Sequence, residues 1–197
     1  FRDPFSVAFS IGMPFISLGI KHVGEDLFPE PNKAMASALA LGFLIFIPHT
    51  FFFIFLGDFY YEIYYENYGN PHFINLIESF FQAAFIEESL KFLFFLFFVS
   101  KFNAFNEPMD AIVYGVCISL GFSLMETLEW THIKFTEEGP DEALFEAQSR
   151  AWSSNSMHAG CGILMGTFLS NAFFQKKYNF LKLILALFIP ILLHGFY

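Results

Sequence analysis

The chain has 197 residues, of which 55% are hydrophobic and 15% charged, and its net charge is −9. Mean hydropathy is +0.51. A soluble domain usually carries about a quarter charged residues, so this composition excludes an ordinary soluble fold, and the acidic balance excludes a nucleic-acid partner, which needs a basic stripe against phosphates.

The apolar residues come in long runs, and a run of about 20 such residues spans a bilayer. Six spans are expected, near 4–20, 34–56, 73–99, 109–132, 149–172 and 179–197. Together they form an all-α integral membrane bundle of about six or more helices, read as one polytopic domain over 1–197. Span one lacks the features of a cleavable signal: Pro14 interrupts it and no A-x-A site follows. The chain stops inside an apolar run at Tyr197, so a longer natural protein is expected.

The connecting loops alternate in charge. Lys21 and Lys33 mark the first, Lys101 the third, and Lys176 and Lys177 the fifth. The second holds Asp58, Glu62 and Glu66, and five tyrosines that suit an interfacial belt. The fourth holds Glu137, Glu138, Asp141, Glu142 and Glu146. The positive-inside rule then puts loops one, three and five in the cytoplasm of a multi-pass cell-membrane protein. Cys117 and Cys161 lie in apolar segments outside any C-x-x-C pair and read as packing residues.

Ionisable groups at membrane depth are costly and are functional candidates by default. Span three offers Glu87, Glu88 and Lys91, span four Glu126, span five His158 and span six His194. Counting inward along each span at about 1.5 Å per residue, all fall in the outer half of the bilayer. Ser154, His158, Gly162, Gly166 and Ser170 recur every four residues. Such small-residue stripes bring helices close and turn His158 toward a neighbour rather than lipid. Lys91 lies one turn from both Glu87 and Glu88 and can reach either. Pro190 breaks the backbone pattern of span six and could open room beside His194. Two residues are set aside: His49 as a packing histidine, and Glu78 as a solvated edge residue about 180° around the helix from Glu87.

Two histidines, a carboxylate and a water form a recurrent catalytic zinc shell, and a further carboxylate can act as general base on that water. A Glu-Glu-Lys cluster can equally be a structural ion pair. What favours chemistry is the convergence of two acids on one helix, one on the next, and a histidine on each of two more.

Several motifs in order resemble the PrsW family of intramembrane proteases. They are Pro29-Glu30-Pro31, Glu87-Glu88 with Lys91, Glu107-Pro108-Met109-Asp110 leading to Tyr114-Gly115, Gly121-Phe122 with Glu126, Arg150, His158, and His194-Gly195. That family is a distant relative of the type II CAAX prenyl endopeptidases. Ala111 stands where the family usually has Gly after the Asp, and Thr127 where it usually has Asn after the Glu. The resemblance implies a metalloprotease-like hydrolase that cuts membrane-anchored proteins, with Glu87, Glu88, Glu126, His158 and His194 catalytic.

The expected reaction is peptide-bond hydrolysis by a Glu/His-activated water. The metal, expected to be Zn2+, would be held by His158, His194 and one of Glu88 or Glu126, with Glu87 as base. Metal-free activation by Glu and His stays open. Lys91 would hold the paired acids, and Arg150 would meet a substrate carbonyl or an acidic residue; Asp110 is a further supporting residue. Partners are a membrane-anchored protein or peptide and the lipid bilayer. The alternative is a non-catalytic membrane scaffold or partner subunit. A proton-coupled transporter is a third option, although no inverted repeat supports it.

Overall fold

The computed structural model describes residues 30–66, 69–175 and 179–197. The first expected span, 4–20, lies outside the described residues. Among the described residues the chain is all helix. In chain order these are α1 (Asn32–Phe55), α2 (Gly57–Glu66), α3 (Pro71–Leu76), a π-helical stretch Ile77–Phe85, α4 (Ile86–Phe97), a 3-10 turn Val99–Lys101, α5 (Pro108–Glu137), α6 (Pro140–Trp152), α7 (Ser154–Phe174) and α8 (Asn179–Gly195).

α5 is the centre of the bundle. From Asp110 to Leu124 every residue but the half-buried Ile112 is buried, and the helix packs on α7, α1 and α6. Small residues make the crossings close. A Cβ on Gly162 would stand 2.6 Å from the Gly115 carbonyl oxygen, and one on Gly115 would stand 2.6 Å from that of Gly162. Gly42 on α1 and Gly121 on α5 meet in the same way, backbone to backbone. Bilayer lipid supplies no hydrophobic drive for helices to associate, so close packing of this kind carries the association.

α1 and α5 are both long and apolar enough to cross a membrane. They differ in exposure: α5 is mostly buried, whereas α1 presents Phe51, Phe53, Ile54 and Phe55 outward, as a lipid-facing helix does. The whole is an all-α membrane bundle.

Four expectations need correction. The tyrosine-rich second loop folds as α2, with Tyr60 buried and Tyr64 donating to Gln82 Oε1 at 2.7 Å. The acidic fourth loop is helix too: α5 runs on to Glu137, and Pro140 opens α6. Span five is therefore two helices broken at Ser153, and Arg150 and His158 belong to different ones. Span three keeps its bounds to within a few residues, but its middle is π-helical. A π turn closes hydrogen bonds five residues apart rather than four, so each residue rotates less about the axis. That rotation overturns the placing of Glu78 opposite Glu87, since both line one cavity, although Glu78 is exposed, as a solvated edge residue is.

Candidate active site

The π stretch ends at Phe85, and α4 begins its first turn with Glu87 and Glu88 pointing into the bundle. Both acids are buried, and so is Lys91 one turn later. Lys91 Nζ lies 2.7 Å from Glu88 Oε1 and 3.5 Å from Glu87 Oε2. It also lies 2.9 Å from His158 Nδ1 and 4.4 Å from the centre of the Phe122 ring. The ammonium can only donate, so Nδ1 is the acceptor and His158 carries its proton on Nε2. That Nε2–H then donates to Glu126 Oε2 at 2.9 Å.

Glu126 is held from the other side by Arg150, whose Nη2 stands 2.7 Å from Oε1. Arg150 also donates to Ser154 at 2.9 Å and reaches Thr127 Oγ1 at 3.5 Å. The break between α6 and α7 sets this up, because it lets Arg150 turn back over the start of α7. Below Glu126, Ser123 donates to Asn155 Oδ1 at 2.5 Å and pins α5 to α7.

On α8, which continues through Pro190, His194 Nδ1 lies 3.0 Å from Glu88 Oε1 and 3.9 Å from Glu87 Oε2. The two imidazole rings meet edge to face with centroids 5.1 Å apart. Gly195 lets α8 approach the π stretch: a Cβ there would stand 2.8 Å from Phe80 Cγ. Glu87, Glu88, His158 and His194 each offer a ligand atom within 4.8 Å of the others. Glu126 falls outside that set and sits on the far nitrogen of His158. Asp110 is elsewhere, at the start of α5.

A cavity of about 530 Å³ opens onto this cluster, lined by Glu87, Glu126, His49, Gln82, Glu78 and Glu129 among others. His49, expected as a packing histidine, does pack among Phe46, Phe53 and Phe122, and it also lines this cavity. Its Nε2 lies 3.9 Å from Glu87 Oε1, and its ring packs edge-on against Phe122. The signal available was Pro48–His49 inside an otherwise apolar span.

The family model for PrsW family intramembrane metalloproteases matches residues 30–197. The chain belongs to this family. A "Protease PrsW" of Oceanobacillus iheyensis is 31% identical over 173 residues, 88% of this chain and 72% of that protein. One of Bacillus subtilis is 32% identical over 169 residues, covering 85% and 69%. One of Halalkalibacterium halodurans is 35% identical over 130 residues, covering 66% and 55%. The match thus spans between about half and three quarters of the length of these relatives. No solved structure matches the chain.

The donor set fits a zinc ion in kind: two imidazoles and two carboxylates are the ligands zinc takes. Glu87 Oε2 and Glu88 Oε2 are buried without hydrogen-bond partners, so acceptor capacity is unused there. Both nitrogens of His158 are engaged, and a metal ligand bond from this ring therefore displaces Lys91 or Glu126.

Proposed function

We propose that this chain hydrolyses peptide bonds in membrane-anchored protein substrates, with Glu87 activating the attacking water. The carrying observation is an asymmetry between two adjacent acids. Glu88 is tied down by Lys91 at 2.7 Å and His194 at 3.0 Å. Each acid keeps one buried oxygen unbonded, but among the described residues Glu87 forms no ion pair shorter than 3.5 Å, and of the two it is Glu87 that lines the cavity. A carboxylate with a spare acceptor at a cavity wall is what a general base needs.

In the proposed reaction Glu87 takes a proton from water as its oxygen bonds to the scissile carbonyl carbon. The C–N bond then breaks, and Glu87 returns the proton to the leaving nitrogen. Glu88, His158 and His194 would hold the zinc, which when bound supplies Lewis acidity to the water and the carbonyl. Glu126 holds the far nitrogen of His158, fixing its ring and tautomer, as carboxylates beside metal-binding histidines do. Arg150 and Lys91 neutralise the acids. The mixed wall of the cavity, Phe53 and Trp130 beside Gln82 and Glu129, suits an unwound peptide segment entering from the bilayer, with multi-pass placement in the cell membrane.

Metal-free activation is a second reading, favoured by Lys91. Its ammonium already stands where Glu87, Glu88 and His158 converge and could stabilise charge in place of a metal. Cleavage of a membrane-anchored reporter in reconstituted vesicles tests both readings. Wild type should cleave, and Glu87→Gln should not while melting normally. Zinc found at one per chain, lost on His194→Ala together with activity, selects the metal reading. Full activity of exhaustively chelated protein selects the metal-free one. Full activity of Glu87→Gln sinks the role of Glu87 in either.

A further inference from the structure

A second carboxylate cluster lies at the other end of α5. Asp110 is fully buried. Its Oδ2 accepts from the backbone N–H groups of Asn106 at 2.6 Å and Glu107 at 2.7 Å, capping α5. Its Oδ1 is buried with no hydrogen-bond partner. Around it stand Glu107 and, from the segment before α1, Glu30, and the three acids bring ligand oxygens within 4.8 Å of one another. Tyr114, one turn along α5, donates its hydroxyl to Glu30 and aims that carboxylate.

Burial, reinforced by Asp110 and Glu107, pushes the Glu30 carboxyl up to about 7. Among the described residues, no Lys or Arg forms an ion pair with Glu30 or Asp110. The active-site acids, by contrast, have Lys91 and Arg150.

We propose that Glu30, Glu107 and Asp110 bind a hard divalent cation of the Mg2+ or Ca2+ class, which ties the start of α1 to the start of α5. The donors are all carboxylate oxygens with no imidazole or thiolate among them, a set that favours Mg2+ and Ca2+ over zinc. Glu30 and Glu107 are only part-buried, so water can complete the shell, as Mg2+ in particular requires. The buried Oδ1 of Asp110 then gains the partner it lacks. By the positive-inside rule this end of α5 faces the cytoplasm. The inference is independent of catalysis at the other cluster.

The test uses the chain purified in detergent, stripped with EDTA, and titrated with Mg2+ and with Ca2+ by calorimetry beside thermal melts. Wild type should bind one of the two ions saturably and melt at higher temperature as it does. Glu30→Gln keeps an oxygen for Tyr114 but removes one charge, and should weaken binding by about tenfold or more, since ligand charge tunes such sites. Glu87→Gln, altered at the other cluster, should bind as wild type does. The proposal is overturned if wild type binds neither ion at millimolar concentration, even where its stability depends on pH, because the acids then share a proton instead. Equal binding by Glu30→Gln overturns it too, as does loss of binding in Glu87→Gln, which would assign the ion to the active site.

Discussion

The two ends of α5 solve the same problem differently. Asp110 and Glu126 lie on one helix, sixteen residues or about 24 Å apart. Around Glu126 the acids are deep and balanced: Arg150 meets Glu126, and Lys91 meets Glu87 and Glu88. Around Asp110, itself fully buried, Glu30 and Glu107 are only part-buried; backbone N–H groups meet Asp110, and the Tyr114 hydroxyl meets Glu30. The difference teaches where charge compensation must be built in. An ion far from water needs a counter-ion from the same chain, whereas one near the surface can recruit water or a cation.

The largest effect expected from breaking this balance comes from Lys91→Met. The substitution keeps the length of the side chain but leaves Glu87 and Glu88 buried without their cation. Removing one partner of a buried pair costs about 3–5 kcal/mol. Thermal melts in detergent should show a large drop, and added zinc should recover part of it if Glu88, His158 and His194 take a metal. An unchanged melting point would mean that the acids are neutral without Lys91.

Glu87→Gln separates chemistry from charge balance. Loss of general-base assistance should lower reporter cleavage by about 10²- to 10⁴-fold, while Glu88 keeps Lys91 anchored and the melt stays near wild type. A parallel fall in stability and cleavage would instead assign Glu87 to the ion pair alone.

The packing that holds the two ends on one rod can be probed at Gly162. Gly162→Ala sets a methyl against the Gly115 backbone at a built distance of 2.6 Å. Backbone on both sides has little room to give, so about 1–3 kcal/mol of stability should be lost, the usual range for overpacking. Cleavage should fall with the melt, since α7 carries His158. The smallest effect expected is that of Ser123→Ala, which removes the bond to Asn155. A net loss of about 1 kcal/mol should appear in the melt, with cleavage reduced modestly. A loss as large as that for Lys91→Met would place Ser123 in the active-site network itself.

The sequence by itself determined the class of the molecule and singled out most residues of the candidate site. Hydropathy is a property of each segment alone, so the apolar runs announced a membrane bundle. Buried Glu, Lys and His are costly wherever the helices end up, so Glu87, Glu88, Lys91, Glu126, His158 and His194 stand out in the sequence alone. The small-residue stripe through Gly162 and Gly166 likewise marked the face that meets α5. Only the tertiary structure decided the partners. The rotation of the π stretch brought Glu78 round to the cavity of Glu87, which α-helical counting cannot foresee. The break at Ser153 turned Arg150 onto Glu126, and the approach of α1 set His49 beside Glu87. Glu30 and Asp110 are eighty residues apart in the chain, and their meeting depends on how α1 docks against α5. Periodicity describes one helix at a time; distances between helices follow from crossings, breaks and changes of helical pitch.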